Sequence, residues 1–241
     1  MLSAGGMFGA YQAGAWKALA GRFRPDIVVG TSAGALNAWA IAGGACPDDL
    51  IKVWLEPECR DLACFRLTQP PWRGVFDSRP LQARIQKLWQ AYTPQLEVGV
   101  VATRIPRLRL RLFRDDEIDW THLAAAAAIP FGYSPMRIGG KLYADGGLLG
   151  VLPVWAAARM GATRIVAINV LAHAPSRVAG WAVRAFRAIA PREPGFYPAP
   201  ELCTIQPDRS LGTVRQALFW SRENVERWIE MGERQAACQF L

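Results

Sequence analysis

Ser32 lies at the centre of Gly30-Thr31-Ser32-Ala33-Gly34, a G-x-S-x-G pentapeptide between the β-branched run 27–30 and the small-residue stretch 33–43. A strand that turns at once into a helix holds the intervening serine on a sharp, strained bend, and the flanking glycines let the two elements approach each other. The helix N-terminus then aims free N–H groups and its positive dipole end at the hydroxyl. This is the setting of a nucleophile. The plainer alternative is a tight turn whose serine only caps the helix.

A nucleophilic serine needs donors for the charge it creates and a base for its own proton. Upstream, Ser3-Ala4-Gly5-Gly6-Met7-Phe8-Gly9 leads into a helix expected over 10–20. Glycine-rich loops of this kind present consecutive backbone N–H groups to an anion, whether an oxyanion or a phosphate. The nucleotide reading is the weaker one, because Ala4, Gly6 and Gly9 break the first glycine of G-x-G-x-x-G and no G-K-[ST] follows. The carboxylate candidate is Asp145 in Asp145-Gly146-Gly147, at the end of a strand over 141–144. Its glycines allow close backbone approach to whatever the carboxylate faces, although alone the segment reads as an ordinary Asp-Gly turn. Only two histidines exist. His122 opens an alanine-rich helix and His173 follows the strand 164–170 on a loop, so a Ser-Asp-His triad through His173 stays open on these grounds.

The elements that must position these residues alternate between short strands and helices. Strands are expected over 27–30, 96–103, 107–113, 164–170 and 204–207, with helices over 33–43, 153–161 and 221–237. Over 107–113, arginine and leucine alternate, which puts Leu108, Leu110 and Leu112 on one face of a half-exposed antiparallel strand. Residues 136–144 read as a hairpin turning at Gly139-Gly140. Such alternation gives an α/β layered fold with a largely parallel sheet in one domain spanning 1–241.

Composition bounds the function classes. The chain has 241 residues, 51% hydrophobic and 20% charged, inside the globular range. No apolar run reaches the roughly 18 residues of a membrane span, and no basic head precedes an apolar segment as in a secretory signal. Five cysteines without a C-x-x-C pair argue against a disulfide framework or a zinc site. The net charge of +8 suits an anionic partner, but its arginines are spread along the chain as on solvated faces. Residues 176–192 read as a helix with Arg177, Arg184 and Arg187 beside Trp181, Phe186 and Ile189. That pattern fits an anionic membrane surface or, equally, a helix covering the sheet. The expectation is cytosolic residence with peripheral membrane contact and no nucleic-acid partner.

Together, three ordered segments resemble the patatin-like phospholipase family: S-A-G-G-M-F-G-A-Y-Q-A-G, V-V-G-T-S-A-G-A-L-N-A and A-A-I-P-F-G-Y-S-P-M-R-I-G-G-K-L-Y-A-D-G-G-L. The closing P-D-R-S-L-G-T and S-R-E-N-V-E-R-W-I-E-M-G also look like the family's C-terminal end. The resemblance implies a three-layer αβα sandwich with a mostly parallel central sheet, and hydrolysis of lipid acyl esters through a Ser-Asp dyad. It maps the nucleophile to Ser32, the proton acceptor to Asp145 and the oxyanion donors to the backbone around Gly5, Gly6 and Met7. It implies no metal and no cofactor.

This chain departs from the family pattern in the glycine loop at Ala4, where a glycine is usual, and at Phe8, where a basic residue is usual and a positive charge near the loop is lost. It departs again at Gly150 and Val151, where an orienting asparagine is usual. Its first strand is expected at about 1–3. Two other readings follow: a catalytically weak relative that binds lipid or a protein partner, and a carboxylesterase using the triad.

Overall fold

The computed structural model describes residues 1–66, 74–176 and 199–239. The helix expected over 176–192, whether it covers the sheet or meets a membrane, lies outside these residues except for Ser176.

The sheet is organised around one long strand. β1 (Ile27–Thr31) runs parallel to β2 (Glu97–Ile105), with residues 27–31 opposite 97–101. β3 (Arg109–Arg114) folds back antiparallel along the other edge of β2. The hairpin of β4 (Met136–Ile138) and β5 (Lys141–Asp145) then fills the edge that β1 vacates, placing Leu142 opposite Ile105 and Asp145 opposite Ala102. Its turn is at Gly139 and Gly140, both at positive φ, the geometry a two-residue hairpin loop requires. β1 and β5 therefore run towards each other along one edge of β2. Their last residues, Thr31 and Asp145, oppose the consecutive Val101 and Ala102.

The other half of the sheet is parallel. Leu2 bridges Gly30 of β1 and Ile168 of β6 (Arg164–Ile168), and β6 pairs with β7 (Glu201–Ile205). A parallel run from β7 to β2 thus carries an antiparallel extension of β3, β5 and β4, and the sheet is mostly parallel.

Both faces are covered, which is why its strands read as continuous apolar runs. Val28, Val100 and Val166 enter the larger core, packed with α1 (Gly9–Leu19), α2 (Ala33–Ala42), α5 (Trp120–Ala127) and α8 (Arg222–Gln239). Their alternates Val29, Val101, Ile165 and Ala167 face the smaller core under α6 (Val154–Arg159). α3 (Pro47–Leu55) and α4 (Ser78–Ala91) stand beside α2, and α7 (Val214–Leu218) lies over the glycine loop. The layers are helix, sheet and helix.

The expected alternation holds within β3, but Leu108 falls in the turn before the strand, at φ 45, and does not share the face of the other two leucines. Leu110 and Leu112 pack on the smaller core, while Arg109 and Arg111 are exposed. Phe113 breaks the pattern: on the arginine side it is buried against Tyr143, with Arg111 over its ring. Elsewhere the expected strands shift by a few residues at their ends, where pairing partners decide the boundary, and α3, α4 and α7 are helices that the sequence pattern did not lead us to expect.

Candidate active site

Ser32 is held between β1 and α2 at φ 55 and ψ −135, a conformation an L-residue adopts only under constraint. Neighbouring backbone imposes it. A Cβ on Gly30 would lie 2.1 Å from the Gly34 carbonyl oxygen, and one on Gly34 would lie 2.4 Å from that of Ser3. The serine makes no side-chain capping bond to α2. Its hydroxyl instead donates to Asp145 Oδ2 at 2.5 Å, so the cap alternative fails.

Asp145 is delivered by strand register and fixed on every side. Its N–H donates to the Ala128 carbonyl, and its own carbonyl accepts from Thr103 Oγ1 at 2.9 Å. Oδ1 accepts from the Gly147 N–H at 2.6 Å. Burial pushes the carboxyl up to about 6, against the downward pull of the Ser32 and Gly147 donors. The group can therefore release or take a proton near neutrality.

The glycine loop lies alongside. Gly6 has φ +55, and a Cβ there would lie 2.3 Å from the Ala217 carbonyl oxygen, so only glycine fits. Among the described residues no acceptor takes the N–H groups of Gly5, Gly6 and Met7. Ala4, the first departure, keeps negative φ and donates to the Val151 carbonyl at 2.9 Å. Val151 thus holds the loop through its backbone where the family pattern has an asparagine nearby. Phe8, the second departure, is buried edge-on against Trp228 in the core.

The sequence reading missed a buried polar network that ties the loop to α2. Gln12 Nε2 donates to the Ser3 carbonyl at 2.8 Å. Asn37 Nδ2 donates to Gln12 Oε1 and to the Gly9 carbonyl, and Trp54 Nε1 donates to Asn37 Oδ1. The available signal is two amides inside otherwise small and apolar helices, since buried polar groups must find partners.

Neither histidine joins the pair. His122 is bonded to Asp119 at the start of α5 and packs edge-on to Phe113. His173 is exposed, and no hydrogen bond links it to Ser32 or Asp145 among the described residues.

A cavity of about 290 Å³ is lined by Ser32, Gly6 and Met7 and runs between α2, α3 and α4. Its walls are mostly apolar, with Leu36, Trp54, Leu81, Ile85 and Leu88 along its length, Ile129 and Tyr133 on another side, and Asn37, Glu56, Arg84 and Lys87 as polar exceptions. Arg84 straps α4 to the end of α3 through Glu56, at 2.8 Å, and the Val53 carbonyl.

Comparison with known proteins agrees with this architecture. VipD from Legionella pneumophila superposes with a TM-score of 0.56 at 15% identity, covering 99% of this chain and 65% of that one. The chain therefore spans a little under two thirds of that structure, and the likeness is one of fold. The type III effector protein ExoU aligns with a TM-score of 0.43 at 13% identity, over 99% of this chain and 51% of its own. No curated protein sequence matches. The patatin-like phospholipase family matches residues 1–158, the stretch that carries the glycine loop, the Ser32 bend and Asp145. By that match the chain belongs to the patatin-like phospholipase family.

Proposed function

We propose that the protein is a serine acyl hydrolase that cleaves fatty-acyl ester bonds of lipids through Ser32 and Asp145. The observation that carries this reading is the 2.5 Å hydrogen bond from a strained, uncapped serine that lines an apolar cavity to a buried carboxylate. In the first step Asp145 accepts the Ser32 proton as the serine oxygen attacks the acyl carbonyl. The N–H groups of Gly5, Gly6 and Met7 receive the oxyanion; loss of one such donor costs roughly 10²–10³ in rate in related chemistry. The proton then passes to the leaving alcohol, and Asp145 next activates the water that releases the acid. The apolar cavity is suited to an acyl chain, because it offers no polar partner along most of its length.

The direct test is a fluorophosphonate probe followed by mapping of the modified residue. Labelling is expected at Ser32; modification confined to another serine, or none, would overturn the proposal.

A second check addresses geometry. A Cβ on Gly146 would lie 2.4 Å from Thr31 Oγ1 and 2.5 Å from the Val101 carbonyl oxygen. Gly146→Ala must therefore push the Asp145 turn away from β1. Displacements of this size cost roughly 10²-fold in rate, and kcat should fall accordingly on a soluble ester. An unchanged kcat would mean that the Ser32–Asp145 contact is not needed.

A further inference from the structure

Among the described residues only two aromatic side chains are largely exposed, Phe131 at 69% and Phe65 at 65%. They stand on one small ribbon. Phe65 bridges Phe76 in an antiparallel pair, the Val75 N–H donates to the Phe131 carbonyl at 2.9 Å, and the Phe76 N–H donates to that of Gly132 at 2.8 Å. Val75 is also exposed.

The ribbon forms the outside of the cavity wall. The ring of Phe65 lies 5.1 Å from that of Phe76, and Phe76 lies 5.5 Å from Tyr133, which lines the cavity. Phe131 falls midway between Ile129 and Tyr133, two lining residues. On the neighbouring helix α7, exposed Val214 is one turn from Leu218, which also lines the cavity.

Folding alone does not account for Phe131. It has φ +63, in the left-handed region where glycine or asparagine is at ease and a bulky side chain is strained. Its ring gains little from packing at that exposure, so its use must come from what it meets outside.

We infer that Phe65 and Phe131 form an apolar rim beside the Ile129–Tyr133 wall of the cavity, and that this rim seats that face of the protein on a lipid bilayer. The inference rests on the acyl-hydrolase reading, because it explains how a chain leaves a bilayer for Ser32 without crossing water. That continuity with the cavity favours a bilayer over a second copy or a protein partner. Aromatic rings suit the interfacial layer of a membrane, and the net charge of +8 adds attraction to anionic lipid.

The test is flotation of the full chain carrying Ser32→Ala with phosphatidylcholine vesicles, with and without phosphatidylglycerol. Burial of one phenylalanine ring is worth about tenfold or more in binding. Phe131→Asn is therefore expected to weaken binding about tenfold, and Phe65→Ser with Phe131→Asn about a hundredfold. Phe131→Trp should retain it. Asparagine relieves the backbone, so the melting temperature of Phe131→Asn should hold or rise, separating lost binding from lost folding. With Ser32 present, the double variant should hydrolyse a soluble short-chain ester as the parent does.

The rim is overturned if the parent binds neither vesicle, if the double variant binds unchanged, or if the variants change oligomeric state instead of vesicle binding. Binding without ester hydrolysis by the Ser32-containing chain would support the rim and defeat only the proposed activity.

Discussion

Asp145→Asn is expected to cut ester hydrolysis by roughly 10²–10⁴-fold while making the folded protein more stable at neutral pH. Asparagine preserves the shape, and its Oδ1 can still accept from Gly147, but it cannot take the Ser32 proton. The stability gain follows from burial. The folded carboxyl titrates at about 6, above the ordinary aspartate value of ~3.9, so the fold favours the protonated form. That contribution is present in full below ~3.9 and is lost as pH rises through about 6. A shift of about two units amounts to on the order of 3 kcal/mol, which the uncharged asparagine does not lose. The same ionisation should give kcat/KM of the unmodified enzyme an acid limb centred near 6. Thermal melts and pH–rate profiles of the two proteins check both halves. His122→Ala and His173→Ala should keep most of the activity. If His173→Ala were instead as impaired as Asp145→Asn, the triad reading would replace the dyad.

Ser32 and Asp145 were each legible because their signals are local: a strand–turn–helix pentapeptide, and an aspartate followed by two glycines. Their meeting was not legible in the same way, since they are 113 residues apart and come together through the pairing of β1 and β5 on β2. No local pattern encodes that Thr31 and Asp145 oppose neighbouring residues of a third strand. Family resemblance supplied the pairing, and strand register gives its physical cause.

The cavity was less legible. It depends on α3 and α4, which the reading left without elements, although Leu81, Ile85 and Leu88 have helical spacing and Asp77 caps the first turn of α4. Phe8 shows the opposite limit. Comparison with the family pattern marked it as a lost charge beside the loop, whereas its ring packs on Trp228 of the distant α8. Side-chain direction at the start of a helix depends on how that helix is docked, and sequence position alone does not reveal it.

The second large effect is at Ser32, where strain and chemistry can be separated by comparing two replacements. Ser32→Ala and Ser32→Gly both remove the nucleophile, a loss on the order of 10⁶ in kcat where it has been measured in a serine protease. Both should also abolish fluorophosphonate labelling. Their stabilities should differ. At φ 55 and ψ −135 any Cβ is strained by about 1–3 kcal/mol, which alanine retains and glycine relieves. Glycine's greater freedom in the unfolded chain gives back about 0.5–1 kcal/mol. The balance leaves Ser32→Gly more stable than Ser32→Ala by about 1 kcal/mol, readable as a higher melting temperature. In both variants Asp145 loses the hydroxyl donor that now holds its titration down, so its carboxyl should move above its present value of about 6. Alanine melting at or above glycine would show that this backbone is not strained. Activity near the parent level in either variant would remove Ser32 as the nucleophile, because among the described residues the other hydrogen-bond partner of the Asp145 carboxylate is the Gly147 N–H, which cannot take its place.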